Sequence, residues 1–155
     1  MLLSFADQRP FATGAAQYRQ HSIGGDTSSA RLVLPVLIGD ISVEAVLDTG
    51  TPWVICSPQV AQAVGLSDLT AMDRIRLLIR GTWVQGTLQS LEMTIPAFLG
   101  ETLIIEVTAF VPETEYVETW GTTPSFLGLT GCLEQFRFAI GPATDTFYFG
   151  PLGEH

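Results

Sequence analysis

The triplet Asp48-Thr49-Gly50 closes an apolar run, Ile41-Ser-Val-Glu-Ala-Val-Leu47, and a second apolar stretch, Thr51-Pro-Trp-Val-Ile-Cys56, follows at once. A strand therefore delivers a carboxylate to a tight turn between two buried segments. Placing an acid in such surroundings is costly, so its presence calls for a chemical reason. Gly50 lets the backbone turn sharply directly after the acid. Thr49 adds a hydroxyl able to tie neighbouring backbone together. A chain built around this turn has to bring strands in from both sides.

The rest of the pattern agrees with an all-β chain. Leu32–Ile38 and Ile41–Leu47 are β-branched and apolar, separated by the hairpin signal Gly39-Asp40. Ser57-Pro58 reads as an N-cap and first helical position, with Val60, Ala61 and Val64 on one side and Gly65 as the stop. Arg74–Arg80, Trp83–Ile95 and Leu103–Val111 are strand-like, and Asp73-Arg-Ile-Arg-Leu alternates as a half-exposed hairpin arm does. Pro112–Ser125, with its three glutamates and Trp120, reads as a long solvated loop, or alternatively as a wall of a substrate pocket. Thr130–Gln135 allows a helical turn or two, after which Phe136–Ile140 and Thr146–Gly150 close the sheet around Gly141-Pro142. Residues 1–30, rich in Ala, Gly, Ser and Gln, show no sustained periodicity. They read as an N-terminal leader or an interface segment, leaving 31–155 as the folded domain.

Composition removes several function classes. With 155 residues the chain is one domain with room for a core, and 46% hydrophobic against 15% charged residues excludes disorder. An apolar, charge-poor surface is consistent with an oligomer interface. A net charge of −9 argues against nucleic acid or an anionic membrane surface as a partner. All seven basic residues are Arg, which removes lysine Schiff bases and lysine-based phosphate loops. Cys56 and Cys132 either pair or stay as buried free thiols, the second reading being favoured by their apolar contexts. Two Cys and two His, His21 and His155, draw no metal site and offer no histidine for a nucleophilic triad. The apolar runs are strand-sized, short of the ~20 residues of a membrane span. Met1-Leu-Leu-Ser-Phe5 lacks the marks of a signal peptide, which points to a cytoplasmic protein.

The chain resembles the aspartic proteases, and within them the single-domain, retroviral-type (retropepsin-like) branch. The resemblance rests on Val46-Leu-Asp-Thr-Gly-Thr51, on the strand pair around Arg74–Ile79 and Gly86–Ile95, and on Phe126-Leu127-Gly128, spanning roughly Arg31 to Gly150. It implies a closed β-sheet domain with one or two short helices, forming a symmetric homodimer. Asp48, Thr49 and Gly50 would be catalytic. Thr51, Arg80, Gly81, Thr82 and Gly128 would contact a peptide or protein substrate, with Arg80-Gly81-Thr82 at the turn of a flap. The bland alternative for that turn is an ordinary solvent-facing hairpin. Leu129 stands where retroviral enzymes often carry Arg, and Pro52 stands where they carry its acidic partner. Both members of the ion pair are replaced together, so no lone buried charge remains.

Peptide hydrolysis by carboxylates needs two acids sharing one water, and the chain holds one Asp-Thr-Gly. Asp7, Asp26, Asp40, Asp68, Asp73 and Asp145 lack that context. A homodimer supplies the second acid as the partner's copy of Asp48. Two carboxylates about 3 Å apart do not both ionise, so one stays protonated. No cofactor or metal is called for. Two other readings stand beside this one. A retropepsin-like binding or assembly module without activity fits the altered positions 52 and 129. An Asp-nucleophile phosphotransferase does not fit, because Gly50 replaces the second Asp, lysine is absent and helical stretches are scarce.

Overall fold

A computed structural model describes residues 2–22, 30–66 and 73–153. Asp26, Asp68 and His155, considered above, lie outside the described residues. Among the described residues there are twelve strands: β1 (Gly14–Gln17), β2 (Arg19–Ser22), β3 (Ala30–Ile38), β4 (Ile41–Leu47), β5 (Val54–Ile55), β6 (Asp73–Ile79), β7 (Thr82–Ile95), β8 (Leu99–Gly100), β9 (Leu103–Pro112), β10 (Ser125–Leu127), β11 (Phe136–Gly141) and β12 (Thr146–Pro151). Two short helices, α1 (Pro58–Val64) and α2 (Val117–Trp120), join them.

Eight strands form one sheet in the order β2-β3-β4-β10-β5-β9-β7-β6. This sheet curls back on itself, because the end of β7 also pairs with β3 through Leu37–Thr94 and Ile38–Met93. Its alternating inward side chains, among them Leu34, Val36, Ile38, Met93, Ile95 and Ala109, are buried in one contiguous core. Gly39-Asp40 makes the two-residue β3–β4 connection, with Gly39 at φ 60°. The helix α1 is stopped and started as its sequence indicates. The Ser57 hydroxyl accepts from the Val60 amide, Pro58 opens the first turn, and Gly65 ends it at φ 84°.

The second sheet has four strands in the order β11-β12-β1-β8. Its β1 lies inside the stretch read from sequence as a leader, and it pairs within the chain, Gly14–Gln17 against Thr146–Phe149. Phe147 and Phe149 of β12 are fully buried and join this sheet to the main core. The segment Pro112–Ser125, expected as a solvated loop, differs from that expectation. It contains α2, because Trp120 is buried and donates its indole N–H to Thr123 O at 2.7 Å. The helical stretch expected at Thr130–Gln135 is only a 3-10 turn, Leu133–Gln135, before β11 begins.

Cys56 and Cys132 are free and fully buried, and burial pushes both thiols up to about 12 from an ordinary 9.0. A raised value in the folded state is a contribution to stability that is complete below the unfolded value. It is lost as pH rises through the folded one. Stability should therefore fall by up to ~1.4 kcal/mol per pH unit per thiol above about 9. Urea unfolding across that range measures the slope, and Cys132→Ala should roughly halve it. At neutral pH, the native protein should leave a thiol-labelling reagent unreacted until it unfolds.

Candidate active site

The strand β10 creates the site by running between β4 and β5. It is parallel to β4, with Ser125, Phe126 and Leu127 opposite Ala45, Val46 and Leu47. On its other side it is antiparallel to β5, with Phe126 opposite Ile55 and Leu127 opposite Val54. The loop 48–53 has to bridge from β4 to β5 across the end of β10. Backbone bonds lace the crossing: Asp48 N to Leu127 O at 2.9 Å, Gly128 N to Trp53 O at 2.7 Å, and Leu129 N to Thr51 O at 2.7 Å. Trp53 N donates to Thr130 O at 2.9 Å, which holds Trp53 at φ 55°. A bulky residue in that region is an outlier, and two backbone bonds on one residue are what maintain it.

Asp48 sits half-buried at the head of this loop. Its Oδ1 accepts from the Gly50 amide at 3.0 Å, and its Oδ2 accepts from the Thr51 hydroxyl at 2.9 Å. Each carboxylate oxygen is thus held by one local donor and keeps a further lone pair for another group. The chain turns back on itself here, with Thr51 N donating to Asp48 O at 3.1 Å. Thr49 and Gly50 are exposed at the surface of the turn.

The β6–β7 hairpin lies over the loop. A second buried cluster of Ile55, Val84, Phe110 and Trp120 packs against Leu77 and Ile79 of the hairpin and against Trp53 and Phe126 below. Between hairpin and loop is a cavity of about 340 Å³, lined by Asp48, Gly50, Thr51 and Pro52 on one side and by Leu77–Arg80 on the other. Ile55, Phe126 and Arg31 complete its wall. The size suits a few side chains of a ligand, and the wall combines the apolar Ile55, Leu77, Ile79 and Phe126 with the charged Asp48, Arg31 and Arg80.

The structure brings most of the residues singled out from sequence to this place. Asp48, Gly50, Thr51 and Arg80 line the cavity. Gly81, at φ 79°, forms the hairpin corner with Arg80. Thr82 faces an adjoining depression shared with Tyr116, Thr119 and Trp120, so the 112–125 segment also walls a pocket. Gly128 is buried beneath the loop, packed on Trp53 and Thr51 backbone. The sequence did not single out Arg31 or Ile55, nor the place of Phe126 on the cavity wall, nor the role of Trp53. The signal for Ile55 and Phe126 is their pairing through β10, which joins segments far apart in the chain. Among the described residues no group of His, Cys, Asp and Glu comes together to hold a metal ion, and no helix is long and apolar enough to cross a membrane.

No protein-family model and no curated protein sequence matches the chain. Among solved structures, a retropepsin-like aspartic protease from Rickettsia conorii is similar, with a TM-score of 0.58 and 15% identity over 86% of this chain and 97% of its own. The retroviral protease-like domain of Ddi1 from Leishmania major covers 81% of this chain and 98% of its own at 16% identity and a TM-score of 0.45. With β10 threaded between β4 and β5, Asp48 at the crossing and a hairpin above it, the fold of this chain is that of the retropepsin-like aspartic proteases.

Proposed function

We propose that the protein is an aspartic endopeptidase that acts as a symmetric homodimer, with Asp48 of each copy at the two-fold axis. The observation that carries this reading is Asp48 itself. It is a carboxylate held by Gly50 and Thr51 at the mouth of an apolar cavity beneath a hairpin, in a retropepsin-like fold. One such acid per chain supports the dimer, since the chemistry needs two. In the pair, the charged carboxylate takes a proton from a shared water, whose oxygen attacks the scissile carbonyl. The protonated carboxylate hydrogen-bonds the carbonyl oxygen and stabilises the developing charge. Collapse of the tetrahedral intermediate breaks the C–N bond, and the leaving amine receives a proton from the dyad. Thr49, exposed beside Asp48, would tie the two active-site loops together.

Three measurements test this. Purified protein should cleave casein or a peptide library, and pepstatin should suppress the cleavage. Light scattering over a dilution series should show a dimer whose dissociation parallels the loss of rate. The rate should be bell-shaped in pH, because the pair works only with one proton between the two acids. It should decline above neutrality, where subunits of net charge −9 also repel one another most. A flat or rising rate from roughly pH 6 to 9 contradicts the dyad. Peptide binding without cleavage under any of these conditions would instead identify a binding or assembly module.

A further inference from the structure

We infer that Arg80 is a specificity-determining residue, reading an acidic side chain of the substrate next to the apolar residue that fills the cavity. The inference rests on the proposed protease reading and names the substrate class for that same site.

The charge pattern is the first support. In a chain with 16 acidic and seven basic residues, the exposed turn residue Arg80 brings a guanidinium to the wall of the cavity that holds Asp48. An acidic protein repels acidic ligands at long range, so a guanidinium placed at a binding cavity is selective. The rest of the wall is largely apolar, through Ile55, Leu77, Ile79 and Phe126. An apolar side chain thus has a place, and an acidic neighbour has a partner. Arg19 does not compete for that role, because its guanidinium is engaged by the carboxylate of Glu44.

The backbone is the second support. Ile79 pairs with Thr82, so Arg80-Gly81 is a two-residue hairpin connection with φ 50° and 79°. Such a turn favours Asn or Asp before Gly, whereas a left-handed conformation at an ordinary residue costs about 1–2 kcal/mol. Arg at this position is therefore held against local preference. It projects from the corner where three depressions meet, since Arg80 lines the Asp48 cavity and both of its neighbours. A long, planar, always-charged side chain at such a junction reaches a carboxylate on a peptide that runs along the cleft, and its fork matches both oxygens.

The test uses the full chain and paired fluorescent peptides that differ only in Glu or Gln beside an apolar centre. Wild-type protein should prefer the Glu member about tenfold in kcat/KM, the scale of one charge-assisted hydrogen bond. The preference should shrink in roughly 0.5 M salt. Arg80→Gln, which makes the same backbone demand, should reduce the Glu-to-Gln ratio about tenfold, and Arg80→Lys should retain part of it. The same peptides are titrated against Asp48→Asn by fluorescence anisotropy, a readout independent of catalysis. Cleavage without any Glu preference overturns this inference and leaves the protease reading standing. A Glu preference in binding without cleavage by the wild type supports the acid-reading site and removes the protease reading. An unchanged ratio in Arg80→Gln assigns the preference to another residue and overturns the role of Arg80.

Discussion

Asp48→Asn should lower peptide hydrolysis by ~10³-fold or more, the scale of losing a positioned acid-base group. The substitution keeps the size of the side chain and keeps one oxygen to accept from Gly50 N–H. The new amide group then faces the Thr51 hydroxyl, which accepts as readily as it donates. Both local bonds survive, so folding stability should change by less than ~1 kcal/mol. In the proposed homodimer the variant would also remove charge from the axis, and the dimer should hold together at neutral pH at least as well as the wild type. The discriminating comparison is therefore rate against unfolding midpoint in the same preparation. Loss of both together would mean that Asp48 acts as a structural acid of the crossing, and substantial residual cleavage would place the chemistry elsewhere.

The features legible in the sequence are those settled by neighbours in the chain. The Gly39-Asp40 hairpin, the helix from Ser57-Pro58 to Gly65 and the β6–β7 hairpin each carry local turn or cap chemistry, and each has nearly the bounds that its sequence suggests. The features that were not legible depend on partners far away. Gly14–Gln17 has weak strand residues, and it becomes β1 because Thr146–Phe149 and Leu99–Gly100 flank it. Thr51–Cys56 looks like a full strand, yet only Val54–Ile55 pairs, because the loop must first climb over the end of β10. Trp53 carries no sign of its left-handed backbone, which only the bonds to Gly128 and Thr130 explain. Asp48 was visible because an acid after an apolar run is unusual by itself. The apolar cavity wall was not, since each of its residues alone reads as ordinary core.

Gly128→Ala should be the most destabilising single substitution at the site, by ~3 kcal/mol or more, because the added methyl has nowhere to go. An ideal Cβ at Gly128 would stand 2.1 Å from Trp53 O, 2.4 Å from Thr51 O and 2.7 Å from Pro52 C. All three are backbone atoms of the loop that carries Asp48, so relief cannot come from a side chain swinging aside. The loop itself must move, which breaks the Gly128 N–H bond to Trp53 O and the neighbouring Leu129 N–H bond to Thr51 O. Two glycines nearby serve as internal controls. A Cβ at Gly81 meets nothing within 4 Å, so Gly81→Ala should cost only the ~1–2 kcal/mol of its φ of 79°. A Cβ at Gly50 meets only Asp48 Oδ1, at 3.3 Å, a contact that a small shift of the carboxylate relieves. Urea unfolding of the three variants should rank Gly128→Ala far below the other two. Cleavage by Gly128→Ala should also fall even where it remains folded, because Asp48 and Thr51 are displaced together. Equal midpoints for Gly128→Ala and Gly81→Ala would show that the crossing tolerates separation of the loop from β10, and with it that the position of Asp48 is not set by this packing.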